Sequence, residues 1–129
     1  MTDSSIYPCP CCGRLVFGEP PGSYEICPVC FWEDDISQLR FPRMGGANHV
    51  SLIEGQKNYR EFDACELRVK PHVRPPSENE ALESGWRPLD LEKDAIEDPV
   101  PGKDCGETYP RDRTVLYYWR PTFWRVNAT

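Results

Sequence analysis

Two pairs of cysteines near the start of the chain have the spacing of a metal site. Two residues separate Cys9 from Cys12 and Cys27 from Cys30, and 14 residues lie between the pairs. Cysteines three apart on a tight turn can both reach one ion at about 2.3 Å, and two such turns supply a tetrahedron of sulfurs. The spacing predicts one structural zinc ion, because a set of four cysteine ligands leaves no open position for a substrate. Two disulfides, or reduced cysteines that only pack, are the alternatives.

A further cysteine, Cys11, lies inside the first pair. It could replace Cys9 or Cys12 as a ligand, but the two-residue spacer would then be lost. We expect Cys11 to point outward as a free thiol. Residues 15–17 and 24–26 are predicted to form a short hairpin that joins the two cysteine turns, as in a zinc ribbon.

Helical patterns follow between residues 33 and 69. A short helix is predicted from Glu33 to Leu39, with acids in its first turn that suit the helix dipole. The stronger pattern starts at Ser51, which forms a capping box with Glu54. Gly55 costs that helix about 1 kcal/mol relative to alanine.

Proline and acidic residues dominate the segment 70–112. Between residues 77 and 112 the chain has 11 acidic and 4 basic residues. Regular structure is not expected there, and we predict an extended arm that lies on the domain, with a mobile stretch at 93–105. Trp86, Leu89 and Leu91 are its predicted apolar anchors.

Aromatic and β-branched residues are concentrated in the segment 113–126, which predicts a pair of C-terminal strands interrupted at Pro121. The whole sequence therefore predicts one α+β domain over residues 1–129. Its parts are a zinc ribbon (7–32), a helical segment (33–69), a Pro-rich acidic arm (70–112) and an aromatic strand pair (113–126).

The net charge of the chain is −6, with a pI near 4.9. Proteins that bind nucleic acid non-specifically present many cations to phosphates, so the charge disfavours that class. The sequence has no apolar run of about 18 residues and no visible secretory signal, which predicts a cytoplasmic protein without a membrane partner. Structural disulfides are rare in that compartment, and this again favours metal binding.

The stretches Tyr7–Gly13 and Tyr24–Asp35, the second ending in Phe-Trp-Glu-Asp-Asp, resemble the bacterial cysteine-rich CPCC family. Residues 46–52 and the helix up to Cys65 are also similar to that family. The resemblance covers roughly residues 7–91. It implies a zinc-binding bacterial domain and does not imply a reaction.

These observations favour a non-enzymatic protein-binding module that zinc stabilises. Its most concrete form is an immunity or antitoxin protein that neutralises a toxin domain, and the acidic arm suggests that this partner is basic. The candidate partner-binding residues are Glu92, Asp94, Glu97, Asp98, Tyr117, Trp119 and Trp124.

Two other function classes remain open. Arginines interleaved with aromatic residues in the C-terminal segment could bind single-stranded nucleic acid. A Cys-dependent enzyme could use Cys11, or Cys65 with His49 as its base. The simpler interpretation is that Cys65 packs in the core and that His49 caps or packs near the helix start.

The acidic run Glu33, Asp34 and Asp35 also has two interpretations. It could bind a second metal or a basic partner. The simpler interpretation is a solvated helix N-terminus. Cys105, beside Gly106 in the acidic arm, is expected to be a free thiol.

Overall fold

The computed structural model describes residues 6–99 and 109–125. Within those ranges, helices and a two-stranded antiparallel sheet surround a cysteine cluster. This agrees in outline with the predicted α+β class. No helix there is long and apolar enough to cross a membrane. The elements in chain order are strand β1 (Tyr7–Pro8), strand β2 (Leu15–Phe17), helix α1 (Ile36–Arg40), helix α2 (Leu52–Phe62), and 3₁₀ helices at Leu67–His72 and Arg113–Leu116.

The predicted pairing of residues 15–17 with 24–26 is wrong. Strand β2 pairs instead with β1, in the register Tyr7 to Phe17. Residues 24–26 pair with the chain that follows the second cysteine pair, through an antiparallel bridge between Ile26 and Glu33. Each cysteine pair therefore lies in the loop of its own short ribbon. A ribbon closed within each pair needs only local contacts, whereas the predicted hairpin would have spanned the Gly/Pro-rich turn between the pairs.

Helix α2 has the predicted start. The Ser51 side chain accepts a hydrogen bond from the Glu54 amide at 3.1 Å, and the Glu54 carboxylate accepts one from the Ser51 amide at 2.9 Å, so the capping box is confirmed. Helix α1 is shorter than predicted. It begins at Ile36, because the Asp35 side chain caps it by accepting a hydrogen bond from the Ser37 amide.

Helix α2 packs tightly on the core at its one glycine. A Cβ atom at Gly55 would lie 3.1 Å from the Trp32 ring and 3.2 Å from the Cys11 sulfur. Both neighbours are fully buried, so neither has space to move away. The glycine that weakens the isolated helix is therefore what allows the helix to approach Trp32.

The substitution Gly55→Ala is expected to destabilise the protein by about 1 to 2 kcal/mol, because overpacking of a full core outweighs the gain of about 1 kcal/mol in helix propensity. Urea unfolding of the purified protein measures this. Lys57→Ala, at an exposed position of the same helix, is the matched control and should change the free energy of unfolding by less than about 0.5 kcal/mol. A stabilised Gly55→Ala protein would contradict the tight packing.

The predicted C-terminal strand pair is wrong. Residues 109–125 contain a 3₁₀ helix and turns but no strand. Asp112 starts the helical turn by accepting hydrogen bonds from the amide and the hydroxyl of Thr114, at 3.0 and 2.6 Å. The adjacent residues Tyr117 and Tyr118 are both buried, at 1% and 7% exposure. A strand would have pointed the two rings to opposite faces.

The arm lies on the domain, as predicted, and the part of it that the structure describes contacts the first ribbon. The Leu15 amide donates to the carbonyl of Ala81 at 2.9 Å, and the Glu83 amide donates to the carbonyl of Gly13 at 2.8 Å. The backbone of the arm therefore completes hydrogen bonds that the two short strands leave open.

Two of the three predicted apolar anchors contact the domain. The indole of Trp86 donates to the Pro10 carbonyl at 3.3 Å and its ring contacts that of Trp119, and the partly buried Leu89 side chain packs against the core. Leu91 is not an anchor, because 59% of it is exposed. Of the stretch expected to be mobile, residues 100–105 lie outside the described residues, and so does Cys105.

Candidate metal centre

The two cysteine turns have the same backbone hydrogen bonds. In the first turn the Cys9 amide donates to the Arg14 carbonyl and its own carbonyl accepts from the Gly13 amide, at 2.9 and 2.7 Å. In the second, the Cys27 amide donates to the Trp32 carbonyl and its own carbonyl accepts from the Phe31 amide, at 2.9 and 2.8 Å. Equal spacing in the sequence therefore produces two equivalent loops, each with its cysteines facing inward.

Each turn ends with a residue in the left-handed region, with φ of +82° at Gly13 and +73° at Phe31. A glycine takes this conformation freely, whereas a side chain costs roughly 1 to 2 kcal/mol. The ring of Phe31 contacts the ring of His72, with 5.4 Å between the centroids, and this contact helps to offset the strain. At Gly13 a Cβ atom would lie 2.5 Å from the Trp86 ring, so the arm also requires glycine there.

The turns bring four sulfur atoms together. The Sγ atoms of Cys9, Cys12, Cys27 and Cys30 all lie within 4.8 Å of one another. The Cys9–Cys30 and Cys12–Cys27 sulfurs are 3.6 and 3.7 Å apart. A zinc–sulfur distance of about 2.3 Å gives a tetrahedron with edges of about 3.8 Å. The donor set therefore fits one tetrahedral metal ion.

All four side chains are buried, with at most 2% exposure. Burial raises the pKa of the Cys9 and Cys30 thiols well above the ordinary value. Burial acts in the same direction on Cys27, but hydrogen bonds from the neighbouring thiols outweigh it and lower the pKa of Cys27. The Val29 amide also donates to the Cys27 sulfur at 3.3 Å. Four thiolates in so closed a site require a cation to balance their charge.

Cys11 does not point outward. It is completely buried beside Gly55 and is not one of the four clustered cysteines. It is a free thiol, and burial raises its pKa. The prediction of an outward thiol failed because helix α2 covers this side of the first turn.

Cys65 is 3% exposed, and burial raises the pKa of its thiol. Its amide donates to the Cys30 carbonyl at 2.9 Å, which fixes the second turn. His49 is neither packed nor a helix cap. Its imidazole is mainly exposed and lies 3.4 Å from the Glu66 carboxylate and 3.0 Å from the Arg68 guanidinium.

The acidic run before helix α1 is not a solvated helix N-terminus. Asp34 and Asp35 are 3% and 5% exposed. Asp34 accepts hydrogen bonds from the amide and the hydroxyl of Ser23, and burial nevertheless raises its pKa to about 6. Asp35 accepts from Ser37 and from the Ala47 amide at 2.9 Å. These two carboxylates hold loops together.

Most of the acidic residues suggested for partner binding have internal partners. Asp94 forms a bidentate ion pair with the Arg87 guanidinium, at 2.7 and 2.8 Å, and its side chain is only 10% exposed. Asp98 lies 3.8 Å from Arg43. Glu92 is exposed.

Glu97 is shared by two arginines. Arg40 and Arg125 each donate two hydrogen bonds to its carboxylate, at 3.0 to 3.3 Å. Burial alone would raise the pKa of Glu97, but the two guanidinium groups lower it. This residue therefore fastens the arm to helix α1 and to the C-terminal segment.

The three aromatic candidates for partner binding differ in accessibility. Tyr117 is 1% exposed and does not offer its ring to a partner. Trp119 is partly buried, and its indole donates to the Glu83 carboxylate at 2.5 Å. The guanidinium carbon of Arg125 lies over the ring of Trp124, 4.0 Å from the ring centroid.

Gln56 has a role that the sequence does not predict. This side chain is 3% exposed and its amide nitrogen donates to the Pro10 carbonyl and to the Tyr118 hydroxyl, at 2.9 and 2.8 Å. Its oxygen accepts from the Leu89 amide at 2.9 Å. The only signal in the sequence is that Gln56 lies on the same helix row as Leu52. It joins the first cysteine turn, the arm and the C-terminal segment.

Comparison with known proteins adds one match. The family model described as Cysteine-rich CPCC matches residues 7–80, which include both cysteine turns and helix α2. No curated protein matches the chain.

Proposed function

The chain belongs to the cysteine-rich CPCC family, and we propose that Cys9, Cys12, Cys27 and Cys30 hold one structural zinc ion. The close approach of four buried sulfurs is the observation that carries this proposal. A closed tetrahedral set of four thiolates on two Cys-x2-Cys turns is typical of structural zinc sites. Since the thiolates fill all positions around a tetrahedral ion, the ion would stabilise the fold and would not bind a substrate.

We infer further that the protein is a non-enzymatic protein-binding module. The thiol of Cys65 is buried with a raised pKa, which is the opposite of an activated nucleophile, and His49 contacts Glu66 and Arg68. An immunity or antitoxin role is its most concrete form. A reducing compartment such as the cytoplasm would keep the thiols available for zinc.

A basic toxin domain is the partner that the net charge of −6 favours. Opposite net charges speed the encounter of two proteins, and salt screens this effect over roughly 8 Å at physiological ionic strength. Asp94, Glu97 and Asp98 already form ion pairs within the protein. Glu92 would therefore make most of the local charged contacts with such a partner.

Nucleic-acid binding is the weaker alternative, because the arginines of the C-terminal segment have protein partners. Arg120 contacts Glu83 at 2.6 Å and Arg125 contacts Glu97 at 3.0 Å. The Arg113 guanidinium donates to the Pro21 carbonyl at 3.1 Å. Binding phosphates would require these contacts to break.

We expect the zinc-loaded protein to bind the protein encoded by the adjacent reading frame, with an association rate that falls as salt is added. The variant Glu92→Lys should slow association by roughly threefold at low salt. Glu19→Lys makes the same change of net charge at an exposed site outside the arm and serves as the matched control. Stopped-flow fluorescence measures both rates.

An oligothymidylate is the competing ligand in the same assay and should bind weakly or not at all at physiological salt. Sub-micromolar affinity for the oligonucleotide, with a steep salt dependence, would favour nucleic-acid binding over protein binding as the function. Equal slowing by Glu92→Lys and Glu19→Lys would remove Glu92 from the contact surface.

A further inference from the structure

An open basin lies between helix α2 and the arm. Its volume is about 590 Å³, and its lining includes Arg60 from the helix and Arg87, Asp90, Leu91 and Lys93 from the arm. The arm is irregular here, but the hydrogen bond from the Leu89 amide holds it to Gln56 of the helix, and the contact between Asp94 and Arg87 closes its loop. The basin is therefore a defined surface of the molecule.

The free charge in this basin is positive, although the molecule as a whole is acidic. Arg87 is already neutralised by Asp94. The carboxylate of Asp90 accepts a hydrogen bond from the Glu92 amide at 2.9 Å and keeps its negative charge, so that together with Arg60 and Lys93 it leaves the basin a net charge of +1. Arg60 and Lys93 are exposed, and among the residues described neither side chain has a hydrogen bond or an ion pair. Two unpaired cations thus face a shared open volume.

An exposed leucine stands between this basin and a second depression. Leu91 is 59% exposed and lines both the first basin and a neighbouring one of about 540 Å³, whose lining includes Ile53 and Arg43. Apolar side chains that remain exposed beside unpaired cations are typical of surfaces that bind another protein.

We propose that this basin binds an acidic segment of a protein partner that also carries leucine side chains. Carboxylates of the segment contact Arg60 and Lys93, and its leucines pack on Leu91. The inference rests on the proposed protein-binding function and names the chemistry of the contact. An acidic segment is compatible with a partner that is basic as a whole. The net charges of the two proteins govern their long-range attraction, whereas the charges at the interface determine which surfaces meet.

The test uses the zinc-loaded full chain and the labelled peptide acetyl-EELEELEE-amide in fluorescence anisotropy at low salt. The double variant Arg60→Gln/Lys93→Gln should weaken binding about tenfold, because each exposed ion pair contributes modestly. Leu91→Ser should weaken it about fivefold. Lys57→Gln removes an exposed cation of helix α2 that does not line the basin, and it should weaken binding by less than about twofold.

Absence of peptide binding, equal affinity for acetyl-KKLKKLKK-amide, or equal weakening by Lys57→Gln would overturn the proposal. Tighter binding of an oligothymidylate at the same residues would also overturn it, since the ligand would then be a phosphate backbone. Association with the protein from the adjacent reading frame is measured separately. If that association is unaffected by the double variant, the protein-binding function stands and this assignment of its contact surface fails.

Discussion

Replacement of any one of the four clustered cysteines by serine is expected to remove the zinc ion and unfold the protein. Structural zinc contributes an apparent 10 to 16 kcal/mol in small zinc-binding peptides at neutral pH, which is as large as the whole stability of an ordinary domain. Elemental analysis should find about one zinc per chain in the native protein and none in the variants. Circular dichroism should show the loss of helix. The four residues are Cys9, Cys12, Cys27 and Cys30.

The matched control is Cys11→Ser, because Cys11 belongs to the same motif and is equally buried. It should retain the zinc ion. Its free energy of unfolding should fall by only about 1 to 2 kcal/mol, because serine packs less favourably than cysteine in the core. Loss of metal in Cys11→Ser together with its retention in Cys12→Ser would overturn the ligand set. A native protein that contains no zinc when purified without chelators would overturn the metal assignment itself.

The sequence allows the cysteine turns and the start of helix α2 to be predicted, because both depend on local rules. The spacing of Cys9 and Cys12 already places two thiols on one turn. The pair Ser51 and Glu54 satisfies free amides of a helix N-terminus wherever that helix lies. Such features need no knowledge of the rest of the fold.

The errors concern residues whose conformation is set by distant partners. Tyr117 and Tyr118 favour a strand by composition, but both are buried at adjacent positions just after a 3₁₀ helix, and a strand with one face in water would have exposed one of them. Cys11 would be exposed if helix α2 did not cover it. Tertiary packing overrides local preference in both cases.

The arm shows the same limit for charged residues. Composition gives the net charge of residues 77–112 but not which cations lie beside its acids, so the sequence predicts that acids of the arm are available to a partner. The structure pairs Asp94 with Arg87, and Glu97 with two arginines that lie far from it in sequence. Spacing along the chain does not reveal such pairs.

Gln56→Ala is expected to lower the free energy of unfolding by about 3 to 5 kcal/mol. The substitution leaves the Leu89 amide without its acceptor, and an unsatisfied buried group costs about 1 to 3 kcal/mol. The Pro10 carbonyl and the Tyr118 hydroxyl each lose one of two hydrogen bonds, at about 0.5 to 1.5 kcal/mol each, and keep Trp86 and the Arg87 carbonyl as partners. Urea unfolding of the zinc-loaded protein measures the loss. Lys57→Ala, at the next position of the helix, should change stability by less than about 0.5 kcal/mol.

A double-mutant cycle with Tyr118→Phe separates the hydrogen-bond network from simple loss of volume. The Tyr118 hydroxyl accepts from Gln56 and donates to the Arg87 carbonyl, so both changes disturb the same network. We expect a coupling free energy of about 1 to 2 kcal/mol between the two substitutions. Additive effects would show that Gln56 acts only by filling space.

The variant Gln56→Glu tests the direction of the hydrogen bonds. A carboxylate could still accept from Leu89 but could not donate to the Pro10 carbonyl, whereas a protonated carboxyl group could do both. Burial next to a carbonyl raises the pKa of such a group, so the folded state holds its proton more tightly than the unfolded chain. The deficit relative to the native protein should therefore shrink as the pH falls from about 8 to about 6. A deficit independent of pH would mean that the side chain at position 56 does not donate to Pro10, and that the first cysteine turn is joined to the arm and the C-terminal segment by other contacts.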